Sequence, residues 1–164
     1  MIRFKRPVAD TIPVGSGYGA LSKYWFNHLE NGRWMPGQID GKGQHRGIDF
    51  LTPLGTCVYA MCDGFVEAQG QESPDIRVGF GIRVRQRVQE MPGYKVWYGH
   101  LSRTDVRAGQ FITKGTLIGL SGNSGRSSGP HLHVELRDAE GQSYPILFEE
   151  NKKEITHEEP HQQN

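Results

Sequence analysis

Only two cysteines occur in the 164 residues, and the net charge is nearly balanced at +1. No apolar run comes near the roughly 18 residues that cross a bilayer, so stable membrane insertion is not expected. The opening Met1-Ile2-Arg3-Phe4-Lys5-Arg6-Pro7 has charge but no apolar stretch after it, so no secretory signal is visible. A net charge this small argues against a nucleic-acid partner. It is also uneven. Glu149–Asn164 holds five Glu against Lys152 and Lys153, a net −3, which leaves +4 on residues 1–148 and suits approach to an anionic surface. Internal repeats and coiled-coil heptads are lacking too. Cys57 and Cys62 are five apart. On one strand that odd spacing would set them on opposite faces, so they are expected as reduced thiols filling the core. Neither sits in a C-x-x-C pair, which leaves them out of any zinc site.

What the chain has in excess is glycine, 22 residues, with nine prolines beside it. Such punctuation suits short strands and tight turns. β-Branched and aromatic runs predict strands at 48–51, 56–61, 64–68, 81–88, 94–100, 116–120 and 131–136. In 82–88, Ile82, Val84 and Val88 would face inward and Arg83, Arg85 and Arg87 outward. That basic face reads as a solvated strand surface or as a contact to an anionic polymer. Residues 20–30 suggest a short helix and 31–46 a loop. From Glu149 the sequence loses apolar periodicity and reads as a mobile polar tail. The fold class expected is mainly β, a compact antiparallel sheet domain over residues 1–148 with at most short helices near the N-terminus.

Seven histidines are present. His157 and His161 lie in the polar tail, and His28 in the suggested helix reads as structural. The other four have distinctive settings. His45 and Asp49 form H-x-x-x-D, and Gly47 permits a turn that lets both converge on one cation. His131-Leu132-His133 opens a strand, where a period of two points both imidazoles to one face. His100 ends the aromatic strand Val96-Trp97-Tyr98-Gly99-His100. Two His and one Asp make the ligand set of a catalytic zinc with a position left open. Further imidazoles nearby can move protons near neutral pH. Spacing alone leaves open which His of the H-x-H pair would bind metal.

Three blocks carry a resemblance. They are His45-Arg46-Gly47-Ile48-Asp49-Phe50, Tyr98-Gly99-His100-Leu101-Ser102, and the run from Gly119 through Ser121-Gly122-Asn123-Ser124-Gly125 to Gly129-Pro130-His131-Leu132-His133-Val134-Glu135. Gly55-Thr56, Val58-Tyr59-Ala60, Asp63-Gly64 and Lys114-Gly115 support them. In order and spacing the chain resembles the lysostaphin-type (LytM-like) zinc endopeptidases that cut peptide crosslinks of bacterial peptidoglycan, over about residues 14–147. The third block is the most specific.

The resemblance implies a groove with one Zn2+ on its floor, held by His45, Asp49 and His133. It makes His100 and His131 the catalytic pair, with base and acid unassigned between them, and the loop 121–130 one groove wall. Glu135 shares a strand face with His131 and His133, so it reads as a support for a ligand imidazole or as an exposed strand carboxylate. The implied partners are peptidoglycan stems and crosslinks, with D-alanyl–diaminopimelate bonds favoured over glycine bridges because no Gram-positive-style wall-binding module is seen. The expected setting is the periplasm or cell wall, with a phage-encoded lysin as one route of delivery, and the expected state is a monomer. The alternative is a catalytically inactive wall-binding or hydrolase-regulating module. That reading calls for a lost ligand, and all five positions are intact.

Overall fold

The computed structural model of the chain describes residues 2–22, 27–36 and 43–150. Among these residues there is no helix, and the regular structure is all strand. Five short strands come first: β1 (Val14–Ser16), β2 (Leu21–Ser22), β3 (Asn27–Glu30), β4 (Arg33–Pro36) and β5 (Gly43–Gln44). Then follow β6 (Ile48–Phe50), β7 (Cys57–Tyr59), β8 (Gly64–Gln71), β9 (Ile82–Arg87) and β10 (Lys95–Thr104). The last are β11 (Phe111–Ile112), β12 (Leu117–Ser121), β13 (Leu132–Arg137) and β14 (Ser143–Tyr144). The main sheet runs β1-β6-β13-β10-β9-β8-β11, and its pairings are antiparallel.

Each of the seven expected strands is present, with ends shifted by a few residues. Alternation explains why. On β13, Leu132, Val134 and Leu136 enter the core while His133 and Glu135 occupy the other face. On β9, Val84 points inward as expected, and so does Gln86, which is fully buried. Gln86 is tolerated because its amide is satisfied. Its Nε2 donates to the Cys62 carbonyl at 2.8 Å, and its Oε1 accepts from the Tyr98 hydroxyl at 2.8 Å. That hydroxyl in turn accepts from the Met61 N–H at 2.8 Å.

Strand β10 serves two neighbourhoods. Lys95–Gly99 pairs with β13, and Lys95–Tyr98 also pairs with β9. The register then breaks between Tyr98 and Leu101, and the far half pairs with β12. His100 sits at this irregularity with φ +61°, a left-handed conformation uncommon for a residue with a side chain. Bulges of this kind re-aim a side chain relative to its strand.

The described residues of the suggested helix over 20–30 are not helical, and 23–26 lie outside the described residues. β2 and β3 occupy its described residues, and β3 pairs with β4 through Asn31 (φ 49°) and Gly32 (φ +74°). Two successive positive-φ residues make the hairpin turn whose twist matches paired strands, and Asn-Gly is its preferred sequence. The expected loop over 31–46 likewise contains β4 and β5. The cysteines are both free, but only Cys62 is buried. Cys57 is exposed, because Val58 takes the inward position on β7. The suggested tail lies outside the described residues from 151 onward. Glu149 itself is tied in, its N–H donating to the Phe4 carbonyl at 2.7 Å.

Candidate active site and metal centre

Strand register assembles the site. Antiparallel pairing of β6 with β13 sets Asp49 directly opposite His133, and pairing of β13 with β10 sets Gly99 opposite His133. His45 follows β5, its N–H bonded to the Ala20 carbonyl at 2.9 Å. The segment between His45 and Asp49 lies tight against β13. A Cβ on Gly47 would stand 2.1 Å from the Val134 carbonyl oxygen and 2.9 Å from the His133 ring. Gly47 is not in the left-handed region. It is needed for close approach, not for the turn that its spacing suggests.

These contacts bring one atom each of His45, Asp49 and His133 within 4.8 Å of one another. His133 Nδ1 lies 2.7 Å from Asp49 Oδ1 and 3.1 Å from His45 Nε2, and His45 Nε2 lies 3.3 Å from Asp49 Oδ2. His131 Nε2 is 3.7 Å from Asp49 Oδ1, and the His100 and His131 ring centroids are 4.6 Å apart. All five residues singled out in the sequence therefore converge. His28 lies away in sequence on β3, and His157 and His161 are outside the described residues.

The outer nitrogen of each imidazole faces an oxygen. His45 Nδ1 is 3.2 Å from the Gly17 carbonyl, and His100 Nδ1 is 2.6 Å from the Ser124 carbonyl. His131 Nδ1 is 2.8 Å from the Gly129 carbonyl, and His133 Nε2 is 2.8 Å from Glu135 Oε1. Carbonyl and carboxylate oxygens only accept, so each outer nitrogen carries the hydrogen. The inner nitrogens of His133 and His45 face Asp49, to which they donate while protonated and beside which they would offer lone pairs to a cation. The arrangement fixes tautomer and orientation as supporting contacts do around bound metals.

Burial works against charge on Asp49, yet hydrogen bonds from His133 and His45 outweigh it and hold the carboxyl far below the usual range. Burial likewise disfavours charge on His133. Its bonds to Asp49 and Glu135 prevail and push the imidazole up to about 9. Glu135 is buried and also takes Arg137 Nε at 2.6 Å. Its carboxyl is held low by His133 and Arg137 against the opposing effect of burial. The pocket is thus built to hold positive charge, and its nitrogen, nitrogen and oxygen donors are those a zinc ion takes with a position left open. His100 behaves oppositely. Burial, aided by the neighbouring His131, pushes it down to about 4.

Sequence reading left Glu135 open between support and exposed carboxylate, and burial decides for support. It missed Phe80 altogether. Phe80 packs over Gly99, where a Cβ would meet its ring at 2.7 Å, and stacks on His133 with centroids 5.4 Å apart and planes 21° apart. No periodicity signals a residue that reaches the site from the β8–β9 connection.

Comparison with known proteins agrees with this geometry. The pattern described as Peptidase family M23 matches residues 43–145. The peptidoglycan DD-endopeptidase ShyA of Vibrio cholerae is 42% identical over 92 residues, 56% of this chain and 20% of that protein. Lysostaphin of Staphylococcus simulans is 32% identical over 117 residues, 70% of this chain and 22% of that protein. The chain thus spans about a fifth of the length of either. The solved catalytic domain of lysostaphin superposes with a TM-score of 0.63 at 27% identity, covering 83% of this chain and 90% of that one. A zinc-containing peptidase from Vibrio cholerae superposes with a TM-score of 0.66 at 26% identity, covering 89% and 41%. The lysostaphin-like β fold and the His-Asp-His cluster expected from the three sequence blocks are both present. The chain belongs to peptidase family M23, and its His45, Asp49 and His133 form a cluster that could hold a metal ion.

Proposed function

We propose that the chain is a zinc-dependent endopeptidase that hydrolyses peptide crosslinks of bacterial peptidoglycan, with D-alanyl–diaminopimelate bonds as its substrate and residues 1–148 as its single catalytic domain. The observation that carries this reading is the set of four imidazoles anchored outward, three of which, on His45, His131 and His133, turn their inner nitrogens to the one carboxylate of Asp49. His45, Asp49 and His133 are the residues that would hold the metal. Bound there, zinc supplies a Lewis acid for the scissile carbonyl and lowers the pKa of a water.

The chain's own residues do the rest. Asp49 and the buried Glu135 set the charge of the pocket, and Glu135 fixes the His133 ring. His131 Nε2, 3.7 Å from Asp49, is the imidazole nitrogen placed to take a proton from a water at the cluster. His100, held neutral by burial, begins as an acceptor and donates only after it has received a proton. With their rings 4.6 Å apart the two can pass a proton towards the leaving amine. The strained His100 backbone aims its side chain at this point, the type of strain that clusters at active sites. The setting that follows is the periplasm or cell wall. Among the described residues no helix is long and apolar enough to cross a membrane.

The test is digestion of purified diaminopimelate-type peptidoglycan with and without chelator, read by mass spectrometry of the released muropeptides. Crosslinked dimers should become monomers, stop doing so with chelator and resume with zinc. His45→Ala, Asp49→Ala and His133→Ala should lose zinc and activity together, while His100→Ala and His131→Ala keep zinc and lose activity. Intact dimers at full zinc loading, on glycine-bridged wall as well, would refute the reading in favour of a binding module.

A further inference from the structure

The sheet face that carries the catalytic row continues past it into a strip of cations around one tryptophan. Asp49, His133 and Gly99 form one row across β6, β13 and β10. Two residues along, Glu135, Trp97 and Arg85 stand opposite one another on β13, β10 and β9. Two further along stand Arg137, Lys95 and Arg87. Side chains repeat on one face every second residue, so all three rows share the face of His133. At about 3.4 Å per residue, the second row lies about 7 Å and the third about 14 Å from the catalytic row.

The strip is built with an excess of positive charge. Arg85 Nε and Lys95 Nζ reach Glu67 Oε2 at 2.8 and 3.0 Å, and Arg87 reaches Glu67 Oε1 at 3.6 Å. Arg137 bonds to Glu135 at 2.6 Å, but Glu135 is already shared with His133. Four cations therefore face two carboxylates. Arg137 and Arg85 lie 4.5 and 5.0 Å from the Trp97 ring centroid, and a guanidinium stacked on an aromatic keeps N–H edges free for a carboxylate. Arg87 and Lys95 keep 65% and 31% of their side chains open to solvent, so the outer row is accessible.

We infer that Trp97, Arg85, Arg87, Lys95 and Arg137 form a substrate subsite that binds a carboxylate carried two to four residues from the scissile bond. The inference rests on the endopeptidase reading and sharpens it. An extended peptide advances about 3.3–3.6 Å per residue, so a chain lying along the face from the catalytic row sets its second to fourth residue over the strip. A peptide is the occupant because the strip and the cluster share one continuous face. Diaminopimelate crosslinks carry a carboxylate in that reach and a glycine bridge carries none, so the strip selects acidic crosslinks.

The test uses two synthetic crosslink peptides that differ only in whether this carboxylate is free or amidated, with zinc-loaded protein. The wild type should favour the free acid in kcat/KM by about five- to tenfold. That ratio should fall towards one in Arg87→Gln/Lys95→Gln and in high salt. Both substituted side chains reach solvent, so the double variant is expected to fold. Equal cleavage of both peptides by the wild type, or an unaltered ratio in the variant, overturns the subsite while leaving the endopeptidase reading in place. Titration calorimetry of the two peptides on zinc-loaded His131→Ala protein gives a readout independent of turnover. If neither peptide is cut, the endopeptidase reading fails. The subsite then stands only if the free acid binds several-fold more tightly and the two further Gln substitutions abolish that preference.

Discussion

Replacing Glu135 should separate the support of the metal centre from the centre itself. The carboxylate touches no candidate metal position, yet its Oε1 holds His133 Nε2 at 2.8 Å and its Oε2 holds Arg137 Nε at 2.6 Å. Glu135→Gln keeps an oxygen for the His133 N–H and loses the charge. Glu135→Leu removes the acceptor, frees the His133 ring to rotate and leaves two buried donors facing apolar surface. Contacts of this kind are worth about 10–100-fold in metal affinity, roughly 1.4–2.7 kcal/mol. Gln should fall at the lower end and Leu at the upper. Leu should also lower folding stability by about 1–3 kcal/mol for an orphaned donor. Zinc affinity is read by competition with a chromophoric chelator, at a temperature where denaturation curves show both variants folded. Activity at saturating zinc is read alongside. A zinc affinity for Glu135→Leu within twofold of the wild type would refute the claim that this carboxylate orients the ligand.

Three other outcomes are expected. Gly47→Ala should weaken zinc binding and lower stability by about 1–3 kcal/mol, because the new methyl meets the Val134 carbonyl at 2.1 Å and the β6–β13 pair must open; chelator competition and urea unfolding check both. Tyr98→Phe should cost about 1–3 kcal/mol in urea unfolding, since the Met61 N–H and the Gln86 amide oxygen both lose their partner in the buried core. The buried Cys62 thiol is pushed up to about 12 by burial and by Asp63 and Glu90, whereas in the unfolded chain it ionises near its ordinary value. Its contribution to stability is therefore full below that ordinary value and is lost as pH rises towards about 12, a slope that Cys62→Ala should reduce in denaturation curves taken across the alkaline range.

The parts of the fold that the sequence shows plainly are those where one strand face is buried. β9 and β13 alternate because one side packs in the core, so their residues write the period directly. Very short elements leave no such trace. β11 and β14 have two residues each, too few for any period. The 20–30 error has a different origin. Asn31-Gly32, just beyond that segment, specifies a hairpin and closes β3 onto β4. Local turn chemistry decided the outcome.

The site divides along the same line. His45, Asp49, His100, His131 and His133 are chemically distinctive side chains, so their types and spacing announce them. What makes them work is contributed by atoms that every sequence has. The Gly17, Ser124 and Gly129 carbonyls fix three of the imidazoles, and no residue type signals a carbonyl's direction. Gly47 shows the limit well. Its spacing suggests a turn where the structure needs a close contact, because a glycine chosen for φ and one chosen for contact look alike until the neighbouring strand is in place. The cationic strip is an intermediate case. Arg83, Arg85 and Arg87 were legible as one face, but only cross-strand register shows that Arg85 and Arg87 align with Trp97 and Lys95, and that Arg83 turns instead to the Gly70 carbonyl at 3.1 Å. Register, not composition, turns a solvated basic face into one that runs straight from the catalytic row, which is why substrate preference in this chain should respond to charges two and four residues away from His133 along the sheet.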